Sequence, residues 1–230
     1  MAVHHLVAND LTTGSPDLGK PTLQTRMNFS VPNLISAAMF SRRVGEIEAA
    51  NLQADFGPFW DEILANATAC IFLTVAGLES YANELYADGI IAVQRSSDAT
   101  EELTWRGYGW KTLIQKFDLA LKARRCPPLT RGEEPVQSVA ALIALRNGLM
   151  HFKPEWFNQR DTHESLSDAL RGRFAPSPFL RNDPGPFPRA WASHDCTRWA
   201  LASATAFLEH FEARAGLAAK LAPFSDRLKP

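Results

Sequence analysis

The sequence has few cysteines, almost no net charge and no long apolar run. Cysteine occurs three times, at Cys70, Cys126 and Cys196. The odd number and wide spacing exclude a disulfide framework and a Cys-x-x-Cys zinc site, and point to a reducing compartment. Lysine plus arginine total 24 against 25 acidic residues, which excludes the strongly basic class of nucleic-acid binder but leaves room for a local basic patch. The longest stretch without charge, Ile63 to Leu78, is interrupted by Asn66, Thr68 and Thr74 and falls short of the roughly 20 apolar residues of a membrane span. Met1 to Asp10 has no basic segment followed by an apolar one, so no secretory signal is expected, and the expected location is cytoplasmic without a membrane partner.

Several functional signatures are missing as well. Gly-x-Ser-x-Gly and His-Glu-x-x-His do not occur, which removes the commonest hydrolase and zinc-protease patterns. Gly14 to Thr22 approaches a phosphate-binding loop, but Pro21 stands where the magnesium-ligating hydroxyl belongs and no strand precedes it. His194-Asp195-Cys196 carries ligand-type groups that diverge by about 100° per residue on a helix and cannot close on one ion. His4, His5, His163 and His210 stand at no metal-ligand spacing. No metal and no cofactor is expected.

What is there is helical periodicity. The 230 residues, 46% of them hydrophobic, suit one domain. The spacing predicts a helix over Leu34 to Leu52 with Pro32 at its start. It predicts a long one from Phe59 to Leu85, with Pro58 at its start, Gly89 at its end and Trp60, Ile63, Leu64, Ala67, Ile71, Thr74, Leu78, Tyr81 and Ala82 along one face. Lys111 to Arg125 follows, stopped by Pro127 and Pro128, and a last helix covers Trp191 to Arg214 with Cys196, Trp199, Ala200, Ser203, Phe207 and Phe211 inside. Strand-like alternation is confined to Gly89 to Gln94. The expected class is all-α, a four- to five-helix up-and-down bundle over residues 29–216, with a flexible leader at 1–28, a loose Pro- and Arg-rich arm at about 153–189 and a tail at 217–230.

Between Pro135 and Pro154 lies one more helix. Val136, Val139, Ala140, Ile143 and Met150 form one apolar stripe and Leu142, Leu145, Leu149 and Phe152 a second, so burial on both flanks is expected. On that apolar ground stand Arg146, Asn147 and His151. A guanidinium buried without partners costs several kcal/mol, so Arg146 must meet a carboxylate, carbonyls or a ligand's phosphate. Arg189 and His194 repeat the spacing, but leave a proline-rich loop and lack the polar residue after the arginine.

Arg146-Asn147-x-x-x-His151 resembles the HEPN superfamily of small all-helical proteins, whose ribonuclease members carry Arg, often followed by a polar residue, four to six positions before His. Leu73 to Leu85 is similar to their long second helix, with a Leu-Glu step at Leu78-Glu79 and Asn83 one turn later. The likeness spans roughly Ser30 to Ala215. It implies metal-independent cleavage of RNA, Arg146 and His151 as the catalytic pair with Asn147 in support, and a homodimer apposing two motifs in one cleft. It also implies a toxin–antitoxin or defence setting with a protein or nucleotidyltransferase-type antitoxin as partner. The residue types suit the chemistry: histidine, with a pKa near about 6.5, exchanges protons near neutrality, and arginine holds two phosphate oxygens in a planar fork.

A second reading stays open, a non-catalytic HEPN-like interaction or regulatory module. In it Arg146 is an ion-pair partner of Glu79 or Glu84 and His151 caps the helix end. Glu79 is the expected partner of Arg146, and Glu79 and Asn83 are supporting residues. The enzyme needs Arg146 and His151 in a solvent-reachable cleft; the module needs them sealed. For RNA binding, Arg171, Arg173, Arg181 and Arg189 interleave with Phe174, Phe179 and Phe187, a pattern suited to phosphates and bases. A solvated connection tacked down by its phenylalanines accounts for the same residues. Lys122, Arg124, Arg125 and Arg131 form a second basic cluster open to the same two readings.

Overall fold

A computed structural model of the chain describes residues 26–54, 56–90, 105–156 and 162–230, and of residues 105 and 106 the backbone alone. Among the described residues there is no strand, and the architecture is an all-α bundle. Its helices are α1 (Ser30–Asn51), α2 (Phe59–Ala87), α3 (Trp105–Gly109), α4 (Leu113–Ala123), α5 (Val136–Met150), α6 (Glu164–Leu170) and α7 (His194–Ala215). A turn (Pro186–Ala190), π-helical except at Phe187 whose backbone is extended, and a 3-10 helix (Ala222–Leu228) follow. The leader to residue 25, with the Gly14 to Thr22 loop, and residues 91–94 of the strand candidate lie outside the described residues.

The long apolar helix α2 is the centre, packed against α1, α4, α5 and α7. By length and composition it would suffice to cross a membrane; here its apolar faces lie against other helices, with Ile63, Ala67, Ile71, Val75, Leu78 and Leu85 buried. Leu64, expected inside, is 39% exposed. Aromatics fill the α2, α4 and α7 junction, where Phe117 meets Phe207 and Phe211 edge to face at 4.9 and 4.8 Å.

Helices α1 and α2 are in close contact at Gly77. A methyl group there would lie 2.7 Å from Leu34 Cγ and 3.2 Å from the Ser30 carbonyl oxygen, one of them backbone that cannot yield. Gly77→Ala is therefore expected to destabilise the fold by about 1–3 kcal/mol, read as a lower urea midpoint at unchanged slope.

The start of α7 is fixed by two acceptors. Ser193 Oγ accepts the Cys196 N–H at 3.0 Å, and Glu48 of α1 accepts the His194 N–H at 2.9 Å. The His194 ring lies over Gly45, and its buried Nε2 has no partner among the described residues. Burial, and then the Arg198 charge, push the His194 pKa below the ordinary 6.5, against the opposing pull of Asp195. The unfolded chain therefore takes up this proton before the folded one does. Stability is expected to fall as pH drops below 6.5, until the folded ring itself protonates. Glu48, raised above 4.5 chiefly by burial and then by Asp195, works in the opposite sense in a lower window. Urea midpoints measured one unit above and one unit below the histidine value isolate the effect: His194→Gln should flatten the difference.

Four expectations need correction. The arm at 153–189 is not loose: it contains α6 and the π-helical turn, and buries Leu170, Ser177 and Phe187. Trp191, read as the first residue of the last helix, is instead buried at the end of this turn, its Nε1–H donating to the Pro188 carbonyl at 3.0 Å. The tail is docked too, with Leu221 and Leu228 buried and the 3-10 helix against α1. Finally, α5 is buried on one side only. Val136, Val139, Ala141, Leu142 and Leu145 face inward, whereas Ala140 and Met150 are exposed. The chain supplies α2, α6 and α7 to cover one flank and leaves the outer stripe to solvent.

Candidate active site

Helix α5 brings Arg146 against α2 and leaves Asn147 and His151 outside. Pro135 precedes it and Pro154 prevents its continuation; His151 is its C-terminal cap, with its amide donating to the Asn147 carbonyl at 2.9 Å. The ring of His151 is exposed and, among the described residues, makes no hydrogen bond or ion pair. Asn147 is exposed one turn earlier. Gly148 lets Leu166 of α6 pack directly on the helix: a methyl group there would sit 2.4 Å from Leu166 Cδ2.

Arg146 is half-buried, and its nearest anion is Glu79 of α2. Nη2 stands 4.0 Å from Glu79 Oε1, too far for a hydrogen bond, and the buried Nε has no acceptor among the described residues. The expected Glu79–Arg146 pair is therefore present but loose. The tighter partner of Glu79 is Lys116 of α4, which the sequence reading did not single out. Its Nζ donates to Glu79 Oε2 at 3.0 Å and to Asn83 Oδ1 at 3.2 Å, and lies 5.4 Å from the centre of the Tyr108 ring. Lys116 is only 6% exposed. A signal existed: Leu113, Lys116, Phe117 and Ala120 follow the three- and four-residue steps of a buried face.

The niche thus holds two cations, Lys116 and Arg146, and one carboxylate, Glu79. Lys116 bonds one oxygen of that carboxylate and Arg146 hydrogen-bonds neither, so Arg146 keeps unspent donors and the niche an excess positive charge. Such a site attracts an anion with several acceptor oxygens. Glu84, the other proposed partner of Arg146, is elsewhere. Its Oε1 accepts the N–H groups of Phe29 and Ser30, both at 2.9 Å, where α1 begins. Its Oε2 accepts the Ser30 hydroxyl at 2.7 Å and pairs with Lys220.

The arm arginines are engaged at home. Arg173 donates to the Ala169 carbonyl, Ser138 Oγ and Glu134 at 2.7, 3.1 and 3.3 Å. Arg189 holds Asp183 through two bonds of 3.0 and 2.6 Å. Arg171 is held by Asp168, and Arg181 donates to the Pro178 carbonyl. The phenylalanines between them are anchors: Phe187 is buried, Phe174 packs on Trp199 and Phe179 on Phe59. The arm therefore matches the tacked-down reading, not a row of free bases and rings. In the second cluster Arg124 caps the end of α7 at the Ala215 and Gly216 carbonyls and Arg131 pairs with Asp118, leaving Lys122 and Arg125 on the surface. Among the described residues no group of three or more metal-binding side chains converges.

No protein-family model matches this chain, and comparisons with curated proteins and with solved structures found no match either.

Proposed function

We propose that the protein is a metal-independent endoribonuclease of HEPN type, with Arg146 and His151 as the reacting pair. The observation that carries this reading is the half-buried Arg146 guanidinium with spare donors, five residues before an unencumbered histidine at the same helix end. A phosphodiester oxygen completes the guanidinium, and the charge that builds on phosphorus is stabilised there. His151 takes the proton from the attacking 2′-hydroxyl or returns one to the leaving oxygen, and the amide of Asn147 binds the backbone. Acid and base work at one phosphate asks for two such groups, which a two-fold dimer supplies. The exposed stripe of Ala140 and Met150 beside Asn147 supports that arrangement.

The rival, a non-catalytic interaction module, draws on the Glu79 contact at 4.0 Å, which on its own account would hold α5 against α2. The two part on one experiment: a panel of single-stranded RNAs incubated with the protein in excess EDTA, beside Arg146→Ala and His151→Ala. Cleavage by the parent that both variants lose supports the enzyme. Silence of the parent, or equal cleavage by all three, removes it.

A further inference from the structure

A second polar feature is left unused by the Arg146 niche. A cleft of about 190 Å³ opens between the segment after α5, α6 and the π-helical turn, with Glu155, His163, Ser167, Arg171 and Phe187 among its walls. Glu155 is unusual there. Both of its carboxylate oxygens are closed off from solvent and neither has a hydrogen-bond partner among the described residues. An unpaired carboxylate out of water is costly unless something donates to it. Arg171 does not: Nη2 is taken by Asp168 at 3.0 Å and Nη1 faces the Pro184 carbonyl at 3.4 Å.

Part of the lining is aromatic, from His163 and Phe187. His163 Nε2 bonds the Lys153 carbonyl at 2.8 Å; a carbonyl only accepts, so Nε2 carries the proton. The ring lies parallel to Phe152, centroids 4.9 Å apart at 9°, with Phe187 across it at 5.1 Å and 68°. With Asp168 set against Arg171, Glu155 and Glu164 leave the lining negative. The cleft therefore disfavours phosphate and favours a flat group rich in N–H donors.

We propose that this cleft binds a guanine base, with the Glu155 carboxylate accepting its N1–H and N2–H together. Turned into the cleft about its side-chain bonds, the carboxylate offers two parallel acceptors. Guanine answers with two adjacent donors on one edge. Cytosine and adenine place a ring-nitrogen acceptor beside their amino group, and uracil flanks its single N–H with two carbonyls, so each sets a lone pair against one carboxylate oxygen. Aromatic walls plus edge hydrogen bonds are how unpaired bases are held in general. That the base arrives within an RNA strand rests on the ribonuclease reading; the donor match at Glu155 does not. Glu155 follows His151 by four residues and α6 packs on α5, so a guanine held here would select which phosphate reaches Arg146.

The test is calorimetric titration of the whole protein with guanosine, inosine, adenosine, cytidine and agmatine, repeated on Glu155→Gln. Guanosine should bind saturably and inosine, which lacks the 2-amino group, about ten-fold or more weaker, with no heat from adenosine or cytidine. Glu155→Gln should lose guanosine affinity by about 100-fold while melting at or above the parent's temperature, because it removes an unpaired buried charge. Absence of guanosine binding, inosine binding as tightly, an unaffected Glu155→Gln, or agmatine outcompeting guanosine would each overturn the proposal. The parent titrations decide the matter even if the variant misfolds. Guanosine binding without RNA cleavage in EDTA would remove the ribonuclease reading and leave the cleft assigned.

Discussion

Arg146→Ala and His151→Ala are each expected to slow RNA cleavage about 100- to 10,000-fold, measured as single-turnover rates in EDTA, with folding nearly untouched. His151 is exposed and bonded through its backbone alone, so its truncation should change stability by no more than about 0.5 kcal/mol. Arg146 holds Glu79 only at 4.0 Å, and Lys116 remains to satisfy that carboxylate. Arg146→Lys sharpens the result. It keeps the charge and loses the planar fork, so an arginine that clamps two phosphate oxygens should still lose most of its rate. If Arg146 served only to fix helix register, Arg146→Ala would instead lower the melting temperature and leave any cleavage intact.

Glu84→Ala is expected to be the most damaging single change to the fold, about 3–5 kcal/mol, or a melting temperature lower by roughly 10 °C for a chain of this size. Glu84 is 7% exposed and accepts from the Phe29 and Ser30 amides, the Ser30 hydroxyl and Lys220. Its loss would strand the first N–H groups of α1 and a half-buried ammonium together. Burial alone would raise the pKa of this carboxyl, but the bonds from Lys220 and Ser30 reverse that and hold it below its ordinary 4.5. The contribution is therefore present above 4.5 and lost as pH falls through the folded value. Thermal melts of parent and variant should converge in acid.

The helices were legible because proline and glycine punctuate them. Pro58 and Gly89 bracket α2 to within two residues of the observed ends, Pro135 directly precedes α5, and Pro154 stands four residues beyond its last turn. Local spacing also set Arg146, Asn147 and His151 on one helix end. Spacing could not reveal which carboxylate each cation meets. Lys116 reaches Glu79 across 37 positions and Lys220 reaches Glu84 across 136, separations at which no periodicity speaks. The arm misled for a related reason. Proline and arginine at this density look like a solvated linker, but the prolines turn the chain back on itself and the arginines find Asp168, Asp183 and Glu134 close by. The outer face of α5 misled in the other direction, since two apolar stripes describe a helix with partners on both sides whether or not one chain supplies both.

The carboxylate of Glu84 also orders events during synthesis. The α1 and α2 pair can form as soon as both have left the ribosome, and its own amides reach Glu84 at once. The ammonium that neutralises Glu84 comes from residue 220, more than a hundred positions later. At the rate of about 5–20 residues per second, the nascent hairpin waits several seconds or more with a half-satisfied charge at its open end. Until Lys220 emerges, the first two helices are an open clasp, and the segment that follows α7 is what fastens them.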